Sequence, residues 1–136
     1  MQTFLPLPSL YETFWILDYR RLGKQRVETK QILMILEGMS SGWSNHPAVR
    51  MWKGHNSGLA LYGAVCCTVW RQRGYRDTLL PWFQERVTYN TVFPPWTSDS
   101  NFHRAHQSNL IKKNSEFYGP IFPGVPDDLP YMWPVD

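Results

Sequence analysis

Five of the chain's 14 lysines and arginines fall within residues 19–30: Arg20, Arg21, Lys24, Arg26 and Lys30. A single carboxylate, Glu28, stands among them. The segment is therefore more positive than the whole chain, whose net charge is +3. Clustered cations suit a polyphosphate ligand, because each neutralised phosphate releases condensed counterions. Arginine leads lysine here, and its planar fork grips phosphate in bidentate fashion. On a helix, Arg21, Gln25 and Glu28 share a face, with Lys24 beside them. A lone acid in basic surroundings is a candidate general acid/base or a stabiliser of positive charge. The alternative is a solvated helix face.

Other chemistry is sparser. His103-x-x-His106 has the spacing of half a metal site, but no Cys-x-x-Cys or His-Glu-x-x-His accompanies it. No metal is expected; satisfied or DNA-facing histidines are. There is no glycine-rich phosphate loop and no Gly-x-Ser-x-Gly elbow. Trp43, Trp52 and Trp96 sit near turns or basic residues and could stack on bases. One further nucleophile is the terminal amine. A backbone α-amine has a reference pKa near 7.7–8 against about 10.4 for lysine, so near pH 7 more of it is neutral and nucleophilic. That is what Schiff-base chemistry at a sugar C1′ needs. Spacing alone assigns Met1 no such role, since chain ends generally fray.

The elements that must position these groups read as helices. Pro6 and Pro8 make residues 1–8 an extended arm. Ser9 to Glu12 has capping-box spacing and starts a helix running to about Tyr19. Gly23 marks a break, and a second helix carries Val27, Ile32, Leu33, Ile35 and Leu36 inward until Gly38 stops it. Residues 40–44 are a loop. Pro47 opens a short helix. Residues 57–73 form a longer one, apolar around its circumference and so central, and Gly74 stops it. A short helix after Asp77 takes in Leu80, Trp82 and Phe83. Residues 88–98 are a Pro- and aromatic-rich loop. Ser100 caps a last helix reaching about Lys113. The remainder, rich in proline and aromatics and without Lys or Arg, reads as an ordered wrap over the helices. No alternating strand pattern is present.

At 136 residues, 43% hydrophobic and 15% aromatic, the chain reads as one folded domain. Adjacent Cys66 and Cys67 in an apolar helical pattern read as reduced core residues. No long apolar run or cleavable leader is evident. The expectation is a cytoplasmic monomer without cofactor that does not enter membranes. The sequence pI of about 9.0 favours an anionic partner.

Five segments carry a resemblance: Met1-Gln2-Thr3-Phe4-Leu5-Pro6, Arg21-Leu22-Gly23-Lys24-Gln25-Arg26-Val27-Glu28, Asn45-His46-Pro47-Ala48-Val49-Arg50-Met51-Trp52, His106-Gln107-Ser108-Asn109-Leu110 and Val125-Pro126-Asp127-Asp128-Leu129-Pro130-Tyr131. They are similar, over nearly the whole chain, to short bacterial and phage members of the pyrimidine-dimer DNA glycosylase (endonuclease V-like) family. More distantly, Tyr19-Arg20 resembles the start of that family's arginine-rich active-site segment. His46, Lys53 and Arg73-Gly74 fall in a similar order.

The resemblance implies a compact all-α fold. It implies excision of a damaged or modified pyrimidine, such as a pyrimidine dimer, through an imine to the N-terminal amine, followed by β-elimination of the strand. It also implies duplex bending and extrusion of a nucleotide. Two departures shift the residues. The family nucleophile is a small second residue exposed by removal of the initiator Met, whereas Gln2 is bulky and leaves the amine on Met1. The family glutamate directly follows the Tyr-Arg pair; here that position is Arg21, and Glu28 is the replacement candidate. The expected catalytic set is Met1 and Glu28, with Lys24 as rival nucleophile. Arg20, Arg21, Arg26, Lys30, His46, Arg50, Lys53, His103, His106, Asn109 and Lys113 are expected to face double-stranded DNA. The rival reading is a catalytically silent nucleic-acid-binding module.

Overall fold

Ser9 starts the first helix as its spacing predicts: its hydroxyl accepts the Glu12 amide at 3.2 Å, and α1 runs Leu10–Ile16. The computed structural model describes residues 1–40 and 42–135. α1 ends before Tyr19 because Asp18 opens a new helix, its carboxylate capping the Arg21 amide of α2, Tyr19–Leu36. Gly23 does not break α2. A Cβ there would lie 2.9 Å from the Trp70 ring, so the glycine lets a partner helix come close. Its propensity cost, about 1 kcal/mol against alanine, is set against that contact. The inward face is Leu22, Gln25, Thr29, Ile32 and Leu33. Val27, expected inside, is 47% exposed. Gly38 ends the segment at φ +78°, the left-handed conformation of a helix stop.

Of the loop expected over residues 40–44, Ser41 lies outside the described residues. α3, Pro47–Arg50, begins with Pro47 and is capped by the His46 ring. α4, Asn56–Gln72, is the central helix: α1, α2 and α5 (Leu80–Gln84) all pack on it. Tyr62, Cys66, Cys67 and Val69 are buried along it, and Gly63 admits the Phe83 ring of α5. Burial pushes the Cys66 thiol up and the Cys67 thiol to about 12, so both are inert packing residues. A 3-10 turn, Pro95–Ser98, interrupts the expected loop. α6, Ser100–Lys113, takes its cap from Asp99 rather than Ser100. A short α7, Ser115–Tyr118, was not expected; Asn114 caps it. Beyond it Tyr131, Trp133 and Val135 pack against the core, as a wrap should. The described residues contain no strand, and among them no helix is long and apolar enough to cross a membrane.

Candidate nucleic-acid cleft

The N-terminal arm is clamped rather than frayed. The Gln25 side chain accepts the Phe4 amide at 2.9 Å and donates to the Gln2 carbonyl at 2.6 Å. Tyr62 donates to the Phe4 carbonyl at 2.6 Å, and the Trp52 indole to the Thr3 hydroxyl at 3.0 Å. The Leu5 amide donates to His106 Nδ1 at 2.9 Å, while the Leu5 carbonyl accepts from His103 Nδ1 at 2.8 Å. Gln107 donates to the Pro6 carbonyl at 2.8 Å. Each such bond nets about 1 kcal/mol, and orphaning a buried partner costs more. Helices α2, α4 and α6 thus hold the arm from Gln2 to Pro6, immediately after Met1.

His103 and His106 are therefore not DNA-facing. Both are buried, and both spend Nδ1 on the Leu5 backbone. The contacts set opposite tautomers: His103 Nδ1 carries a proton, His106 Nδ1 does not. Burial, with His103 adding to it, pushes the His106 pKa down to about 3 from an ordinary 6.5. The unfolded chain thus binds one more proton than the folded chain between about pH 3 and 6.5. This stability is fully present above 6.5 and is lost as pH falls through that window, with a slope approaching about 1.4 kcal/mol per unit. His46, also lowered, acts in the same direction. Asp18 and Asp77, whose pKa values are lowered despite burial by hydrogen bonds from Tyr118 and Arg26 respectively, extend the loss below about pH 4. Urea midpoints should be level above pH 7 and fall steadily from pH 6.5 to 4.5. Midpoints level down to pH 4.5 would mean that His106 is not held neutral.

A cleft of about 420 Å³ opens where the arm meets α2. Met1, Gln2 and Phe4 line it from the arm; Arg20, Arg21, Lys24, Gln25 and Glu28 from α2; His46, Lys113, Tyr131 and Trp133 complete it. Glu28 is the one carboxylate among these residues. The Gln2 amide donates to its Oε2 at 3.2 Å, and Lys24 Nζ lies 3.4 Å from its Oε1. The acid is thus bonded to the residue that follows Met1. The His46 pKa is lowered first by burial and then by the Met1 ammonium, with Glu28 opposing, so amine, imidazole and carboxylate share one electrostatic environment. Lys24 is 74% exposed, so it lacks the burial that depresses a lysine toward its neutral, nucleophilic form. Arg21 pairs with Asp18 at 3.1 Å, and Arg20 bonds the Tyr19 hydroxyl at 3.2 Å. Burial pushes the Tyr131 phenol up to about 12, so it stays a neutral donor.

Other expected contacts lie elsewhere. Arg26 is taken by Asp77, with Nε to Oδ1 at 2.8 Å, and its guanidinium sits 4.9 Å from the Trp70 ring centre. Asp77 also accepts the Leu79 and Leu80 amides, so this pair ties α2 to the start of α5 and is not a phosphate grip. Lys30 lies over the Trp82 ring, outside the cleft. Asn109 donates to the Ala105 and Leu129 carbonyls and holds the C-terminal wrap. Arg73 donates to the Phe14, Trp15 and Leu17 carbonyls, closing the end of α1. Arg50 and Lys53 line a separate hollow of about 760 Å³ with His55, Trp96 and Pro134. That hollow is larger, but no carboxylate lines it; the smaller cleft is the one that brings a carboxylate together with the arm.

Gln2, Tyr131 and Trp133 also line the cleft, although neither their type nor their spacing marks them as site residues in the sequence. The C-terminal aromatics carried a signal only in their spacing between prolines, which does not say what they cover.

A family model described as pyrimidine dimer DNA glycosylase matches residues 1–80, the part that supplies the arm, α2 and His46. No curated protein and no solved structure shows a significant match to the chain.

Proposed function

The chain belongs to the pyrimidine dimer DNA glycosylase family, and we propose on that basis that it excises a damaged or modified pyrimidine from duplex DNA and then cleaves the strand as an AP lyase. The observation that carries the reading is the bond from the Gln2 amide to Glu28 Oε2, which puts Met1 and a carboxylate in one cationic cleft. Arg20, Arg21, Lys24 and Lys113 grip the phosphates around the extruded nucleotide. The neutral Met1 amine attacks C1′ as the glycosidic bond breaks, and the base leaves with the bonding pair and takes up a proton. Glu28 stabilises the positive charge that develops on the sugar and assists proton transfer. The C1′–O4′ bond then breaks, O4′ takes up a proton and the sugar ring opens, and the amine, having lost its own protons, is left as an imine at C1′. The imine acidifies the C2′ hydrogen. Removal of that proton expels the 3′ phosphate, and water hydrolyses the imine to free the enzyme.

The test uses two duplexes, one with a single cyclobutane pyrimidine dimer and one with a single abasic site. Cleavage of both, giving a β-elimination end, is the expected result. Cleavage of the abasic duplex alone would keep the lyase and move the lesion to another pyrimidine. Binding of both without cleavage would make the chain a silent DNA-binding member.

A further inference from the structure

Trp43, on the loop between α2 and α3, is unlike the chain's other candidate stacking residues. Trp52 is buried, with its indole N–H on Thr3. Trp96 packs on Trp52 and Phe102 and donates to the Met51 carbonyl. Trp43 is 72% exposed. It is also the one non-glycine residue with positive φ, +65°, among the described residues. Such a conformation costs on the order of 1–3 kcal/mol in a bulky residue. Most of the ring is left in water, so burial offsets little of that strain.

Its position relates it to the cleft. The Trp43 ring meets His46 edge-on at 6.1 Å, and His46 meets Trp133 at 5.8 Å. His46 and Trp133 both line the cleft. Trp43 also lines a hollow of about 350 Å³ whose wall includes Met1, shared with the cleft. Trp43 therefore stands at the rim, one aromatic contact from the site where a nucleotide would be held.

We propose that Trp43 stacks on a base of the duplex next to the extruded nucleotide, taking up apolar surface that extrusion exposes. Aromatic rings stack on bases for roughly 1–3 kcal/mol without regard to sequence, and apolar side chains inserted at a base step stabilise kinked duplexes. The proposal rests on the duplex being the ligand. It adds a contact outside the reacting group.

Binding is measured by anisotropy on a duplex carrying a tetrahydrofuran abasic analogue, which cannot form an imine. Trp43→Ala should weaken binding about tenfold, and Trp43→Phe about threefold or less. The salt slope should not change, because Trp43 neutralises no phosphate. Urea midpoints should stay at the wild-type value, since the side chain is exposed. Wild-type affinity in Trp43→Ala would overturn the proposal, as would equal losses in both variants or a loss with a changed slope. Wild-type borohydride trapping on a true abasic duplex reads the activity separately. Trapping together with unchanged Trp43→Ala binding removes only the stacking. Absent trapping together with weakened Trp43→Ala binding removes only the lyase.

Discussion

Glu28→Gln should lower single-turnover excision and strand cleavage by roughly 10²-fold or more, while leaving DNA affinity within about threefold. The substitution keeps the shape of the side chain. A glutamine oxygen can still accept the Gln2 amide that Glu28 Oε2 now accepts at 3.2 Å, so the arm stays in place. What is lost is the charge. In the cleft that charge is surrounded by Arg20, Arg21, Lys24 and Lys113, and a cationic sugar forming there has no other carboxylate among the lining residues. The competing role is structural. The Lys24–Glu28 pair is one helical turn apart, with Lys24 exposed, and such pairs contribute a few tenths of a kcal/mol. If that were its whole role, the variant would turn over at the wild-type rate with a slightly lower urea midpoint. Equal activity would thus make Glu28 a clasp for the arm.

Much of this arrangement is legible in the sequence because it rests on local spacing. Arg21, Lys24, Gln25 and Glu28 recur at helical intervals, the cap at Ser9 lies within a turn of the amide it serves, and Pro47 sits in the first turn of the helix it opens. The failures share a physical cause. Arg26 looks like its neighbours until Asp77, 51 positions away, takes its guanidinium. Gly23 has the composition of a break, but the ring that needs its missing Cβ belongs to Trp70 on another helix. His103 and His106 show a ligand-like interval, and nothing local reveals that their ligand is the Leu5 backbone, about a hundred residues earlier. For the same reason the arm could be expected to be extended but not anchored: its partners come from α2, α4 and α6. Side chains whose role is set within one turn can be read in advance. Those whose partner arrives by tertiary packing cannot.

Dimethylation of the Met1 amine should abolish covalent trapping of an abasic duplex. The amine forms an imine by adding to C1′ and losing water, which requires two hydrogens on nitrogen; borohydride then delivers hydride to C1′ and leaves a stable amine link. The adduct peptide should begin Met1-Gln2-Thr3. Reductive methylation at mildly acidic pH reaches an α-amine before lysines, by the reference values of the two amine types. Dimethylation leaves a basic nitrogen at the terminus, unlike acylation, so the modification removes no cationic centre from the cleft. The arm's clamps at Gln2, Phe4 and Leu5 use backbone groups that methylation does not touch. Affinity for the tetrahydrofuran duplex should accordingly hold while trapping falls to background. An adduct mapping to Lys24 would transfer the nucleophile to an exposed side chain already paired with Glu28, and methylation confined to Met1 would then leave trapping intact. Loss of trapping with loss of affinity would instead mean that modification displaces the arm, because only a seated arm keeps Met1 in the cleft that Glu28 lines.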